Sequence, residues 1–138
     1  MRTVPQILKD SKTIAVVGMS NKPERASYGV AHYLQQRGYR VLPVNPSYAG
    51  QEILGEQVYA SLQDAAAAAG GAIDVVDCFR DPAHMLHIAR DAVAVRAGAL
   101  WMQLGVVNQE AADLAAAAGL DVVMDRCMKI EHAAAGPT

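Results

Sequence analysis

The sequence predicts an α/β fold built on a doubly wound parallel sheet of about five strands with helices on both faces. Short apolar segments rich in β-branched residues, without polar alternation, are typical of strands buried on both faces. A segment with helical spacing follows most of them, so strands and helices alternate along the chain. Of the 138 residues 52% are hydrophobic, many of them alanine, and only 5% are aromatic. Such a composition suits helices packed closely on a sheet, and together these observations favour a Rossmann-like domain.

The elements can be predicted in chain order. Strands are expected at residues 13–17, 39–44, 74–79, 99–102 and 120–124. A short helix precedes the first strand, and Ser27, Ser61 and Asn108 are predicted helix N-caps. Pro82 is predicted to open a further helix, and little regular structure is expected after Pro46. We expect one domain over residues 1–138 whose last residues, 133–138, form a frayed tail.

The segment after the first strand carries the main functional signal. Gly18 ends the strand, and the polar loop that follows contains two cations before the predicted start of a helix at Ser27. A strand, a glycine turn and a helix N-terminus together bind phosphate, because free backbone N–H groups and the helix dipole favour an anion. We therefore predict that this loop holds the phosphates of a nucleotide-like ligand. The candidate residues are Gly18, Ser20, Asn21, Lys22, Pro23, Arg25 and Ser27.

Polar residues also follow the other predicted strands, where ligands bind in doubly wound sheets. Asn45 is either a turn former before Pro46 or a contact to a ribose or an adenine. Phe79 either packs in the core or flanks an adenine, and Arg80 pairs either with Asp81 or with the ligand. The amide of Gln103, followed by Gly105, lies where a substrate amide could pass or where a structural hydrogen bond forms.

Charge and cysteine content narrow the class of protein. A net charge of −2 does not favour nonspecific binding to nucleic acids or acidic membranes. The two cysteines, Cys78 and Cys127, have neither metal-ligand spacing nor a disulfide framework. With no signal segment or membrane-spanning run recognisable, we expect a cytoplasmic protein without a metal site.

The loop also bears on the identity of the ligand. A dinucleotide-binding loop reads G-x-G-x-x-G, and an acid follows the second strand, whereas here the loop is longer and more basic and Asn45 follows the strand. A ligand with an additional phosphate fits better, because Lys22 and Arg25 can neutralise it while Ser20 and backbone N–H groups bind the diphosphate. Both NADP and coenzyme A (CoA) carry such a phosphate, and the loop alone does not separate them.

Several segments resemble the small, stand-alone CoA-binding protein family, whose domain is similar to the N-terminal CoA-binding domain of the succinyl-CoA synthetase alpha subunit. These segments are VVGMSNKPERASYGVAHYL, GYRVLPVNP, VDCFR, WMQLGVVN and VMDRCMKIEH. The resemblance implies a Rossmann-type domain with the CoA nucleotide on the loop after the first strand. The positions of this sequence that match the CoA-binding positions of the family are Gly18, Ser20, Lys22, Pro23, Arg25, Ser27, Tyr28, Asn45, Pro46, Phe79 and Arg80. Ligase activity is not carried over, because the phosphorylatable histidine of the synthetase belongs to another domain.

We therefore expect a protein that binds CoA or an acyl-CoA and has no chemistry of its own. The alternatives are an NADP-dependent oxidoreductase and a CoA-sensing module that acts through a protein partner or a homo-oligomer; an exposed apolar patch around Tyr48, Ile53 and Leu54 would support the sensing module. Cys127 stands between Arg126 and Lys129, which could lower the pKa of a thiol, although a buried inert thiol is the simpler interpretation. A pair formed by Cys127 and His132 lacks a third orienting group.

Overall fold

A five-stranded parallel sheet forms the centre of the fold, and the computed structural model describes residues 1–136. The chain forms strands β1 (Thr13–Val17), β2 (Arg40–Val44), β3 (Glu52–Ile53), β4 (Glu56–Gln57), β5 (Val75–Cys78), β6 (Ala99–Met102) and β7 (Asp121–Val123). The order across the main sheet is β2-β1-β5-β6-β7, while β3 and β4 form a separate antiparallel pair. The predicted parallel, Rossmann-like sheet is confirmed.

Helices cover both faces of this sheet. They are α1 (Val4–Asp10), α2 (Ala26–Gln36), α3 (Leu62–Ala68), α4 (Met85–Ala94), α5 (Gln109–Ala117) and α6 (Met128–Ala135). Side chains alternate along each strand, so Ile14 and Val16 pack with α1, α2 and α6, whereas Ala15 packs with α3, α4 and α5. The buried face of α5 consists of alanines, which allows this helix to lie close to its neighbours.

One predicted helix start is wrong. Helix α2 begins at Ala26 with Arg25 as its N-cap, so Ser27 lies inside the first turn and caps nothing. Pro82 opens a helical segment as predicted, a 3-10 turn over Pro82–His84 that leads directly into α4. Two other predicted caps are confirmed, because Ser61 accepts from the backbone N–H of Asp64 and Asn108 from that of Ala111.

Two parts of the chain contain elements that were not expected. The segment after Pro46 contains a 3-10 turn and the β3–β4 pair, where little regular structure was predicted. Helix α6 runs through Ala135 and buries Met128 and His132 one turn apart. The predicted frayed tail is therefore wrong for residues 133–135, which are helical, and residues 137 and 138 lie outside the described residues.

The strand order places a reversal between β1 and β5. From β1 the chain crosses to β2 on one side, whereas β5, β6 and β7 extend to the other side. Ligands of doubly wound sheets bind outside the carboxyl ends of the strands at such a reversal. None of the helices within residues 1–136 is long and apolar enough to cross a membrane.

Candidate functional site

The loop after β1 is held to both neighbouring strands at the reversal. The Gly18 N–H donates to the Val44 carbonyl oxygen at 2.9 Å, and the Phe79 N–H donates to the Val17 carbonyl oxygen at 2.9 Å. Gly18 has φ +85°, and a Cβ atom there would lie 2.6 Å from the carbonyl oxygen of Phe79. The structure thus requires glycine for close packing of the turn after β5, independently of any phosphate.

Short hydrogen bonds fold the loop onto the first turn of α2. The Ser27 hydroxyl oxygen accepts from the Ser20 backbone N–H at 2.9 Å, and the Ser20 hydroxyl oxygen accepts from the Lys22 N–H at 3.1 Å. The Arg25 N–H donates to the Lys22 carbonyl oxygen at 3.0 Å. Ser27 is buried, so its side chain fixes the shape of the loop.

The N-terminus of α2 opens into a cavity of about 320 Å³, which we call the loop cavity. Its lining residues are Gly18, Ser20, Lys22, Arg25, Ala26, Ser27, Asn45, Tyr48 and Phe79. Arg25, the N-cap residue, makes no side-chain capping hydrogen bond, so the first N–H groups of the helix keep their capacity to donate. Lys22 and Arg25 are exposed and, within the described part of the chain, form no ion pair.

Asn45 contributes to the loop cavity mainly as a structural residue. Its side-chain Nδ2 donates to the Met19 carbonyl oxygen at 3.0 Å, and its Oδ1 accepts from the Ser47 N–H at 2.9 Å. Both polar ends of the amide are therefore engaged in joining the loop after β1 to the turn after β2. The predicted turn-forming role is confirmed by these bonds.

A second cavity, of about 240 Å³, lies on the other side of Gly18, and we call it the histidine cavity. Its lining residues are Val17, Gly18, Val44, Pro46, Ala60, Ser61, Leu62, Arg80, His84, His87, Ile88 and Asp91. His87 Nε2 lies 3.3 Å from Asp91 Oδ2. These histidines were not predicted as site residues, because their positions on a predicted helix do not indicate that a strand end faces them.

A third cavity, of about 390 Å³, lies at the end of β6, and we call it the β6 cavity. Its lining residues are Ala26, Val30, Phe79, Arg80, Asp81, Pro82, Gln103, Leu104, Gly105, Val106 and Cys127. Phe79 also lines the loop cavity, and Arg80 also lines the histidine cavity. Among the described residues Arg80 has no ion-pair partner, Asp81 included. The three cavities therefore adjoin through shared residues along the carboxyl edge of the sheet.

A buried polar pair lies beside the β6 cavity. Gln103 Nε2 donates to Asp77 Oδ1 at 2.6 Å, and the two residues are 4% and 0% exposed. Burial raises the pKa of Asp77 to about 7, and the hydrogen bond from Gln103 opposes this rise. Within residues 1–136, Asp77 Oδ2 is the one buried side-chain nitrogen or oxygen atom that has no hydrogen-bond partner. Asp77 was not predicted as a site residue, although an acid inside an apolar strand is a signal that the sequence carries.

Some candidate residues line none of the three cavities. Asn21 and Pro23 are exposed on the loop, and Tyr28 packs against the core with its ring edge-on to His32, 6.4 Å between centroids. Gly105 lines the β6 cavity, and its N–H donates to Asp125 Oδ1 at 2.8 Å. The structure thus gathers most of the predicted residues, but not Asn21, Pro23 and Tyr28.

Cys127 lies at the β6 cavity, and the cations next to it in the sequence are engaged elsewhere. Arg126 pairs with Glu131 at 2.9 Å, and the Lys129 ammonium lies 5.5 Å from the centroid of the Tyr33 ring. His132 Nδ1 is hydrogen-bonded to the Tyr33 hydroxyl at 2.9 Å, and burial, followed by the charge of Arg37, lowers the pKa of His132. These contacts give no support to an activated thiol.

Comparison with known proteins agrees with this architecture. A family model described as a CoA binding domain matches residues 12–133. The chain belongs to the CoA-binding domain family. The protein YneT of Bacillus subtilis (strain 168) is 38% identical over 130 residues, which cover 94% of this chain and 92% of that protein. The resemblance noted from the sequence is thereby confirmed.

Solved structures of similar chains show the same fold. A protein from Thermus thermophilus has 38% identity and a TM-score of 0.88, with 94% of both chains covered. A protein from Pyrococcus horikoshii OT3 has 40% identity and a TM-score of 0.87, with 95% of this chain and 88% of that chain covered.

Proposed function

We propose that this protein binds CoA or an acyl-CoA and that the phosphates lie in the loop cavity. The observation that carries the proposal is the uncapped N-terminus of α2, which opens into a cavity beside two unpaired cations, Lys22 and Arg25, within the described residues. Helix N–H groups, the helix dipole and two cations all favour an anion at the same place. The matching family model supports CoA as the ligand that carries this anion.

The adjoining cavities fit a long ligand. CoA has a nucleotide with a diphosphate and a separate ribose phosphate, and a flexible pantetheine arm that ends in a thiol. In our proposal the arm follows the β6 cavity past Gln103 and Gly105, and the adenosine lies near Asn45, Pro46 and Phe79. The apolar members of these linings give surface for the non-charged parts of the ligand.

We propose binding without catalysis, because the polar groups of the site mainly hold loops in place. Ser20, Ser27 and Asn45 use their side-chain oxygens for hydrogen bonds inside the protein. A sensing module that docks a partner through Tyr48, Ile53 and Leu54 is not favoured. Ile53 is buried and the other two are partly buried against the core, so the apolar patch that would support it is absent from this part of the described chain.

The first test is isothermal titration of ligand-free protein with CoA, dephospho-CoA, NADP and NAD in parallel. We expect CoA to bind most tightly, with dephospho-CoA weaker because it lacks the 3′-phosphate. A preference for NADP would instead favour the oxidoreductase alternative, and binding of none of the four would contradict the proposal.

The second test replaces both loop cations. Lys22→Ala with Arg25→Ala should weaken CoA binding by at least about tenfold, since hydrogen bonds to charged groups contribute about 1.5–3 kcal/mol each. The loss should be much smaller for dephospho-CoA if these cations bind the 3′-phosphate. Equal losses for the two ligands would assign the cations to the diphosphate instead.

A matched control separates local contacts from overall charge. Lys12→Ala with Arg90→Ala removes the same two positive charges from exposed positions that line none of the three cavities. This control should bind CoA like the wild type. An equal loss in the control would mean that long-range charge, and not the loop, determines the affinity.

A further inference from the structure

The side-chain amide of Gln103 has a defined orientation because of its buried neighbour. Its Nε2 donates to Asp77 Oδ1 at 2.6 Å. An ionised carboxylate only accepts hydrogen bonds, so it can pair with the nitrogen end of the amide and not with the oxygen end. If the amide turned over, two oxygens would face each other at a buried position, and Asp77 would lose its donor.

The other end of the amide remains available to a ligand. Gln103 lines the β6 cavity, and within residues 1–136 no group donates to its Oε1. Gln103 Oε1 is not among the fully buried atoms that lack a partner in the same range, and Nε2 is engaged by Asp77, so Oε1 is the polar atom of this side chain that is left for a ligand. Gln103 therefore presents a hydrogen-bond acceptor, Oε1, to the cavity, and its Nε2 is directed away from the cavity.

We propose that Asp77 is a positioning residue that turns the carbonyl oxygen of Gln103 toward the β6 cavity, where it accepts a hydrogen bond from an amide N–H of the pantetheine arm. This inference rests on the proposed function and adds the direction of the hydrogen bond. Asp77 does not touch the ligand; it acts through Gln103. The pair selects ligands whose arm carries an N–H donor at this depth.

Burying the pair of Asp77 and Gln103 is unfavourable for stability, and this supports a functional role for the pair. A carboxyl group buried in a central strand with a single donor, and with its second oxygen unpartnered, is unfavourable for folding. An apolar residue would serve the strand better, as Val75, Val76 and Cys78 do. Such unfavourable groups occur preferentially at functional sites, and here the adjoining cavity gives the group a use.

The test compares CoA with adenosine 3′,5′-bisphosphate, which has no arm, by isothermal titration at about pH 8, where Asp77 is mostly ionised. In Asp77→Asn the amide of residue 103 can turn over, because asparagine both donates and accepts. We expect Asp77→Asn and Gln103→Leu each to weaken CoA by about fivefold or more, while the bisphosphate stays within about twofold of wild type.

A swapped pair supplies the control. In the double variant Asp77→Asn with Gln103→Glu, the introduced asparagine can donate to the introduced glutamate, which still presents an acceptor to the cavity. We expect this variant to bind CoA more tightly than Asp77→Asn alone. A merely structural role for Asp77 predicts no such recovery.

The outcomes separate this inference from the proposed function. The inference is overturned if Asp77→Asn leaves CoA affinity unchanged or weakens CoA and the bisphosphate alike. It is also overturned if Asp77→Asn weakens CoA binding but Gln103→Leu does not, or if the double variant binds CoA no more tightly than Asp77→Asn alone. If wild-type protein binds neither ligand, the proposed function fails and the inference fails with it.

A measurement on wild-type protein covers the case in which Asp77→Asn does not fold. In ¹⁵N spectra at about pH 8 the side-chain N–H₂ protons of Gln103 should exchange with water far more slowly than those of exposed Gln51, with and without CoA, because Nε2 is bonded to Asp77 and directed away from the cavity. Exchange as fast as that of Gln51 would overturn the proposed orientation.

Discussion

Gly18 illustrates how a single residue shapes the site. Its positive φ of +85° and the 2.6 Å approach that a Cβ would make to the Phe79 carbonyl oxygen are separate obstacles to any side chain. The neighbouring turn cannot withdraw easily, because the Phe79 N–H is bonded to the Val17 carbonyl oxygen. Both constraints act at the junction of the loop cavity and the histidine cavity.

We expect Gly18→Ala to lower the free energy of unfolding by about 3 kcal/mol, the sum of backbone strain and a forced contact. Gly38 also has a positive φ, +95°, but open space around it, so Gly38→Ala should cost only about 1 kcal/mol. Gly29→Ala, inside α2 with nothing within 4 Å, should be neutral or stabilising by up to about 1 kcal/mol. Urea unfolding checks the order, and equal losses at Gly18 and Gly38 would show that the contact contributes nothing.

Asp77 makes stability depend on pH in a definite direction. Its pKa in the folded protein, about 7, lies above its ordinary value of 3.8, so between these values the folded state binds the proton more tightly than the unfolded state. The contribution of Asp77 to the free energy of unfolding is therefore fully present below pH 3.8 and is lost as the pH rises to about 7. The loss amounts to about 4 kcal/mol.

We expect Asp77→Asn to remove this dependence, and thus to be more stable relative to wild type at about pH 8 than at about pH 4. Chemical denaturation at the two pH values measures the difference. A difference of the opposite sign would mean that the carboxyl is stabilised in its charged form.

Single residues also show which contacts can be predicted from the sequence and which cannot. The loop cations and Gly18 could be predicted, because a strand, a glycine and a helix start lie close together in the sequence. The bond between Asp77 and Gln103 could not, because it depends on how neighbouring strands are aligned. Ser27 was predicted to be a cap, whereas its hydroxyl oxygen accepts from the Ser20 N–H, because the loop folds back onto the first turn of α2.

At the scale of elements, helix α6 is the clearest addition to the predicted fold. Trp101 Nε1 donates to the Arg126 carbonyl oxygen at 2.8 Å just before the helix, and the Tyr33 hydroxyl is bonded to His132 Nδ1 within it. The strands could be predicted to within one or two residues at each end, because a continuous apolar run is a local signal. Helix α6 and the β3–β4 pair could not, because each buries few side chains and their contacts come from distant segments.

We expect α6 to make stability fall in mildly acidic solution. Burial, with the charge of Arg37, lowers the pKa of His132 below 6.5, so the unfolded chain binds this proton more tightly. The contribution of His132 is present above pH 6.5 and is lost as the pH falls through its folded pKa, opposite in sign to that of Asp77. In an Asp77→Asn background, thermal unfolding between about pH 8 and pH 5 should show this loss, and additional His132→Gln should abolish it. An unchanged slope after His132→Gln would exclude His132 as its origin.

At the scale of the whole molecule, the site belongs to no single segment. The loop cavity combines residues that follow β1, β2 and β5, and the β6 cavity adds residues that follow β6 and β7. The family could be identified from the order of its segments, whereas the three adjoining cavities depend on the packed sheet. Ligand affinity therefore reports on the integrity of the entire carboxyl edge.

The close approach of Gly18 to the turn after β5 also bears on the order in which parts of the site form during folding. The two strands that meet there are far apart in the sequence, and closing such a long loop is a slow step in folding compared with the formation of helix α2. During synthesis the loop and its cations leave the ribosome well before Phe79 and Arg80 do, so the nascent chain carries Lys22 and Arg25 before the loop cavity can form. The ability to hold a ligand is in this sense acquired late, when the central strands pair.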